Sequence, residues 1–346
     1  MSRVLKHIKY PLKYPGIVFR AASNYLRMFV LSQPRLRGVE FAINYGCQCN
    51  CVHCSAAFLK SSKDEPMTTQ QIKQALEQIW RLGVMNINIT GGEPIFHPDL
   101  EEIVRAAHPK STVVSLATNG IALNAAVAKN LKKWGIKIVT ISIDSADEKT
   151  HDRSRGYVGC YQKVMEATQH CQKEGIEVFW CTIMTPENVR NGDMLRLVAL
   201  VKEKNITLTI NLPCPVGRWW DQNLLLSPEA RQLHRDLMKL SHVRWEGHSN
   251  YRREGCPAGI EKLYISPFGD VMPCPFIHIS YGNLKDEPID AIWKRILDVG
   301  PFNEIMDGCP VSENLEFAQR YIKPIYQQDE HPIPYARHPA VGKRSK

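Results

Sequence analysis

An α/β chain built on an incomplete (βα)6 TIM-like barrel, with a small cysteine-held domain behind it, is what three features of the sequence predict. Short β-branched runs alternate with helical patterns from Val39 to about residue 225. Nothing in that stretch turns the repeat around, so six parallel strands with right-handed crossovers are expected rather than the two halves of a doubly wound sheet. Beyond about residue 225 the alternation stops, and residues 256 to 309 hold three cysteines among Pro and Gly punctuation, the pattern of a small metal-dependent unit.

Each element has its own justification. Residues 1–38 form a basic arm: no acid precedes Glu40, so this end carries +8 of the net charge of +9. After Pro11 and Pro15, residues 17–32 set Val18, Ala22, Tyr25 and Phe29 on one helical stripe. Such a helix either docks on the body of the protein, lies on an anionic membrane surface or, least favoured, contacts nucleic acid. Strands are expected over 39–45, 86–90, 112–118, 137–143, 177–183 and 206–212. A Thr68–Gln71 capping box opens a helix whose buried face is Ile72, Ala75, Leu76, Ile79 and Trp80, and Pro98 suits the first turn of the next. Helices over 122–134 and 160–174 end at Gly135 and Gly175, where a left-handed cap needs no Cβ. The predicted division is a barrel over 39–225, a small domain over 226–310 and a proline-rich tail over 311–346 that either wraps the body or stays unstructured.

Composition narrows the function classes. At 346 residues and 44% hydrophobic the chain can bury a large core, and it has no apolar run long enough to span a bilayer. Eleven cysteines without a cleavable signal pattern point to a reducing, cytoplasmic setting in which thiols serve metals or catalysis. In a barrel of this kind the chemistry belongs at the C-terminal ends of the strands. Directly after the first strand comes Cys47-Gln-Cys49-Asn-Cys51-Val-His53-Cys54. Cys47, Cys51 and Cys54, spaced C-x3-C-x2-C, suit one iron–sulfur cluster whose fourth iron keeps no protein ligand; a structural zinc site would want a fourth residue.

This spacing at the end of a first barrel strand resembles the radical S-adenosylmethionine (SAM) enzymes, over roughly residues 39 to 310. The resemblance implies that Cys47, Cys51 and Cys54 ligate a [4Fe-4S] cluster and that the amine and carboxylate of SAM chelate its open iron. His53 stands where the family usually has an aromatic ring, and Cys49 is either a bystander or an adventitious ligand. Gly91, Gly92, Glu93 and Pro94, after the second strand, match the segment that hydrogen-bonds the SAM amine. Thr118-Asn119-Gly120, Ser142 with Asp144, and Arg155 of HDRSRG at 151–156 match more loosely the segments that reach the SAM ribose and carboxylate, with Arg155 fitting better than Arg153. Asn188 is a weaker candidate of the same kind.

Cys256 and Cys274, spaced C-x12-G-x4-C, and the distant Cys309 resemble the auxiliary-cluster modules called SPASM and twitch, as does YGNLKDEPIDAIW at 281–293. The downstream C-x2-C-x5-C-x3-C run of a full SPASM module is missing, so one auxiliary [4Fe-4S] cluster is implied. Its fourth ligand is open: Cys214, His278 or the substrate itself could supply it, position 312 being Ser312. Cys160, Cys171 and Cys181 read as core thiols. Trp219 and Trp220 either line a substrate pocket or pack, and His97, His151 and His278 are candidate acids or bases. The activity implied is reductive cleavage of SAM to a 5′-deoxyadenosyl radical that takes hydrogen from an unactivated carbon. The basic arm favours a small-molecule or lipid-like substrate and peripheral contact with the inner membrane surface through residues 1–37, and the resemblance implies a flavodoxin- or ferredoxin-type electron donor. The alternatives are a peptide-modifying maturase and, from another class, a non-catalytic iron–sulfur carrier or sensor.

Overall fold

A computed structural model describes residues 14–59, 64–251, 255–302 and 304–341. The basic residues Arg3, Lys6, Lys9 and Lys13 lie outside the described residues.

All six expected strands form: β1 (Gly38–Ala42), β2 (Asn86–Thr90), β3 (Val113–Thr118), β4 (Ile138–Ser142), β5 (Glu177–Ile183) and β6 (Thr207–Asn211). Each pairs in parallel with its predecessor. Their side chains alternate by the period-2 rule. Val39, Phe41, Ile87, Ile89, Val114, Leu116, Val139 and Ile141 are fully buried against the surrounding helices. The opposite face lines the barrel interior and is polar, with Glu40, Asn88, Ser115, Thr140 and Asn211 only partly buried.

The covering helices form as the signals require. α1 (Thr69–Arg81) starts at the Thr68–Gln71 capping box and buries Ile72, Ala75, Leu76 and Ile79. α2 (Leu100–Ala106) and α3 (Ala125–Trp134) follow, and α3 stops at Gly135 with φ 109°, left-handed backbone that favours glycine. α4 (Glu148–Arg155) and α5 (Cys160–Lys173) complete the β4–β5 crossover.

Three expectations need correction. The alternation does not stop at residue 225: α6 (Pro228–Leu237) leads to β7 (Val243–Arg244), parallel to β6. β8 (Lys262–Ile265) pairs in parallel with β1, and β9 (Val271–Met272) pairs antiparallel to β8. The sheet therefore runs β7-β6-β5-β4-β3-β2-β1-β8-β9, open between its two edges. Strands of two to four residues carry too little periodicity to announce themselves. Second, the N-terminal helix Pro15–Tyr25 does not bury its Val18, Ala22, Tyr25 and Phe29 stripe: all four are exposed, and the Tyr25 ring meets the body edge-on at Tyr251, 5.4 Å away. It buries Ile17 and Asn24; the Asn24 amide donates to Gly83 O at 2.7 Å and Tyr251 Oη at 2.8 Å, and Arg20 donates to Trp80 O at 2.6 Å. Polar contacts, invisible to a hydrophobic stripe, set its rotation, and Phe19, Leu26, Phe29, Val30 and Leu31 are left exposed. Third, Cys181 is not a core thiol: it lies on the polar interior face, where Asn211 Nδ2 donates to its sulfur at 3.5 Å.

The tail wraps the body as far as it is described. β11 (Ile333–Pro334) pairs with β10 (Ile279–Ser280), and Phe317, Ile322, Ile325 and Val341 are buried.

Candidate active site

The Cys47–Cys54 loop leaves β1 at the C-terminal rim of the barrel, and three neighbours fix it. The first is the Gly91-Gly92-Glu93 segment: Gly92 N–H donates to Asn44 O at 2.9 Å and Glu93 N–H to Gly46 O at 2.8 Å. A Cβ at Gly91 would meet Asn44 O at 2.3 Å and one at Gly92 would meet Gly46 O at 2.4 Å, so both glycines are required by the loop's own backbone. Pro94 then opens a single 3₁₀ turn.

Glu93 is fully buried. Its carboxylate accepts from Thr118 Oγ1 at 2.8 Å, Asn119 N–H at 2.9 Å and Ile95 N–H at 3.2 Å, stapling the β2 exit to the β3 exit. Burial outweighs these donors and pushes its pKa up to about 7. Asn119 in turn points its amide at Cys47 Sγ, at 3.6 Å.

The third neighbour is HDRSRG. Asn50 N–H donates to Arg155 O and Val52 N–H to Ser154 O, each at 3.0 Å. The Arg155 side chain is held by Asp144 at 2.6 Å and directs Nη1 at Cys51 Sγ, 3.9 Å away. Ser154 Oγ also donates to Asp144, at 2.6 Å, and His53 Nε2 lies 3.8 Å from it. Burial alone would raise the Asp144 pKa, but Arg155 and the neighbouring His53 overcome it and hold the carboxyl down at about 2. Arg155 thus stays charged beside Cys51, favouring its thiolate. Arg153 makes no such contact, whereas Ser142 sits half-buried at the last position of β4, in register with Cys181.

Other candidates are placed differently. The Asn188 side chain is spent on a capping box with Thr185 and on Ile183 O at 2.8 Å, and His97 Nδ1 accepts from Asp99 N–H at 3.2 Å. His151 Nδ1 accepts from Asp144 N–H at 3.0 Å, which makes it a support of the Arg155–Asp144 pair. Cys49, read as a bystander or adventitious ligand, and Cys160, read as a core residue, are buried within interaction range of each other, and Cys49 N–H donates to Cys47 Sγ at 3.4 Å. Nothing in the sequence spacing could have joined Cys49 to a cysteine more than a hundred residues on.

The mouth of the barrel is aromatic. Trp219 lies 5.3 Å from the His53 ring, and Trp220 stacks on Tyr326 of the tail at 5.7 Å. Phe58 and His331 pack on the same tyrosine at 5.5 and 5.6 Å. Tyr326, Phe58 and His331 escape sequence reasoning because the tail's return to the barrel has no local signal. Behind this rim the interior carries a charge network in which Lys262 pairs with Glu40 and, at 3.5 Å, with Glu246, itself 3.2 Å from Arg244.

Cys256 precedes β8, Cys274 follows β9, and with Cys309 every pair among them lies within electrostatic range. Cys256 is fixed by a bridge to Met306, from its N–H to Met306 O at 2.7 Å, and Cys309 by the turn Pro310–Glu313. None of the eleven cysteines is joined in a disulfide. Among the described residues no His, Cys, Asp or Glu group is spaced for a single metal ion. Asn44 Oδ1, Gln48 Oε1 and Arg155 Nε are buried around the first loop without hydrogen-bond partners among the described residues, as expected where a polar cofactor completes the site.

A cysteine-bearing loop over an open parallel barrel, with a second thiol set behind it, defines an iron–sulfur barrel enzyme. Residues 42–210 match the Radical SAM superfamily, and residues 256–297 match SPASM, an iron-sulfur cluster-binding domain. The chain is 30% identical over 279 residues to the mycofactocin maturase MftC of Mycolicibacterium smegmatis, covering 74% of this chain and 70% of that protein. It is 26% identical over 293 residues to the AdoMet-dependent heme synthase of Methanosarcina barkeri, covering 76% and 82%. Its fold is similar to that of Streptococcus suis SuiB bound to precursor peptide SuiA, with a TM-score of 0.63 and 15% identity over 79% of this chain and 68% of that one. The chain belongs to the radical SAM superfamily, in its SPASM-bearing branch. It is a SAM-dependent enzyme that carries a SAM-binding [4Fe-4S] cluster and an auxiliary iron–sulfur cluster. No helix among the described residues is long and apolar enough to cross a membrane.

Proposed function

We propose that this enzyme modifies a peptide by abstracting hydrogen from one of its carbons, a reading that replaces the small-molecule or lipid-like substrate favoured by the basic arm. The observation that carries it is the polar barrel interior. Glu40, Asn88, Ser115, Asn211, Arg244 and Lys262, paired with one another or with neighbours, give the interior a polar, charged lining that suits a peptide backbone better than an acyl chain. The 30% identity to a maturase supports the same substrate class.

In this reading Cys47, Cys51 and Cys54 hold the SAM cluster, while Gly91, Gly92, Glu93, Pro94, Ser142 and Arg155 frame SAM. When bound and reduced by a flavodoxin- or ferredoxin-type donor, the cluster with SAM supplies one electron to the sulfonium and yields the hydrogen-abstracting 5′-deoxyadenosyl radical. The protein's own part is positional. Asn119 and Arg155 aim N–H groups at Cys47 and Cys51, the Glu93 staple keeps the loop against the strand ends, and Trp219, Trp220 and Tyr326 exclude water from the mouth.

A second reading, a small amphiphilic substrate, draws on the heme synthase relative and on the exposed Phe19, Leu26, Phe29 and Val30. In that case the enzyme would work in the cytoplasm at the inner membrane surface through residues 1–37. One experiment separates the two. The anaerobic enzyme with SAM and reductant is given cell extract split into a peptide fraction and an organic-solvent fraction, and 5′-deoxyadenosine is measured above the uncoupled background. Protease-sensitive stimulation by the peptide fraction is expected. Stimulation confined to the protease-resistant organic fraction would overturn the peptide reading.

A further inference from the structure

We infer that Cys214, at the exit of β6, is the fourth ligand of the auxiliary cluster, so that this cluster is closed by a residue of the barrel and binds no substrate directly. This rests on Cys256, Cys274 and Cys309 holding that cluster.

The placement is geometric. Cys214 is buried, with Cys256 buried and Cys274 and Cys309 nearly so, and all four pack in one continuous core. The Cys214 thiol donates to Leu212 O at 3.7 Å and lies within interaction range of Cys309, Cys274 and Cys256. With the three pairs already described, each of the four thiols lies within interaction range of the other three, as ligands converging on one cluster require.

The rival ligands are already engaged. Both ring nitrogens of His278 are used, Nε2 with Pro275 O at 3.0 Å and Nδ1 with Tyr326 Oη at 3.1 Å. Around Ser312 the backbone serves Cys309: the N–H groups of Ser312 and Glu313 both donate to Cys309 O, at 3.1 and 2.8 Å.

The location of Cys214 adds a mechanical consequence. Three residues on, Gly217 lies so close to the SAM-cluster loop that a Cβ there would meet Cys54 O at 2.2 Å. Arg218 N–H donates to Cys54 O at 3.2 Å, and its guanidinium donates to Cys51 O at 3.1 Å and Asn50 O at 3.2 Å. The segment from Cys214 to Arg218 is therefore one short strut, with the auxiliary site at one end and the SAM-cluster loop at the other.

The test uses the full-length protein, purified and reconstituted anaerobically, with Cys47, Cys51 and Cys54 replaced by Ala so that only the auxiliary cluster remains. Iron and sulfide content and Mössbauer spectra are then compared with and without Cys214→Ala. The parent should hold about four irons per chain as a diamagnetic [4Fe-4S]²⁺ cluster. Adding Cys214→Ala should lose about one iron or more, leaving no cluster or a three-iron cluster that gives an S = 1/2 EPR signal once oxidised by one electron with ferricyanide. Cys214→Ser, nearly isosteric, should retain fold by circular dichroism yet shift the Mössbauer parameters, and Cys171→Ala should change neither. Unaltered iron content and spectra in both Cys214 variants would overturn the assignment. If Cys256→Ala in the same background also left the cluster intact, the underlying three-thiol site, not Cys214 alone, would be wrong.

Discussion

Arg155 joins electrostatics to metal chemistry, because it is nearly buried, paired with Asp144 at 2.6 Å and aimed at the Cys51 sulfur. Removing one partner of a buried pair leaves an uncompensated charge, which costs about 3–5 kcal/mol. Arg155→Met is expected to lower the melting temperature markedly, and Arg155→Met with Asp144→Asn to recover part of the loss; equal melting temperatures for wild type and Arg155→Met would contradict the pairing. Glu93 makes a prediction of opposite sign. Its folded pKa, near 7, stands above the ordinary carboxylate value of 4.5, so the folded state binds more protons between those limits. Stability should therefore fall as pH rises from 4.5 to about 7, and Glu93→Gln should flatten that slope in melting curves taken across this range. At this scale the sequence is informative where one residue type has one chemistry, which is the ground on which Cys47, Cys51 and Cys54 are proposed as cluster ligands. It was silent where the role comes from a partner far along the chain. Nothing local marks Asp144 as the anchor of Arg155, or Cys160 as the neighbour of Cys49.

Among the elements, strands and helices with strong periodicity were legible, down to the Thr68–Gln71 capping box and the Gly135 cap. The N-terminal helix shows where that legibility ends. Its hydrophobic stripe predicts a docked face, yet the docked face is set by Asn24 and Arg20, because a buried amide that donates to Gly83 O and Tyr251 Oη fixes rotation more sharply than aliphatic contact does. Asn24→Leu is expected to cost about 1–3 kcal/mol and to speed proteolytic cleavage ahead of β1. Phe19→Ser, at a position 78% exposed, should leave melting unchanged. The same Phe19→Ser variant reports on the membrane reading: sedimentation with anionic vesicles should weaken if the exposed Phe19, Leu26, Phe29 and Val30 face lies on lipid.

On the scale of the whole molecule, the sequence suggests a barrel with a separate appendage, and the sheet shows why that division is too sharp. β8 lies against β1 and β7 against β6, so residues beyond 225 cover both edges of the six-stranded core. Two- to four-residue strands have no pattern of their own and exist only because a neighbour supplies hydrogen-bond partners. A chain ending at residue 225 would bare the β1 edge, with Val39 and Phe41 beside it, and is expected to be insoluble or to lose near-UV circular dichroism; a soluble, cooperatively melting 39–225 fragment would contradict this. The same continuity puts the two thiol sets on one rigid frame, joined by the segment from Cys214 to Arg218.

The central claim is that the loop after β1 carries the cluster on which SAM is cleaved, and it is tested most directly by measuring 5′-deoxyadenosine formed from SAM and dithionite under anaerobic conditions. The reconstituted wild-type protein should produce it, and the variant with Cys47, Cys51 and Cys54 replaced together by Ala should produce none while keeping its auxiliary iron. Equal production by the two proteins, or none from a wild type shown to hold both clusters, would contradict the account.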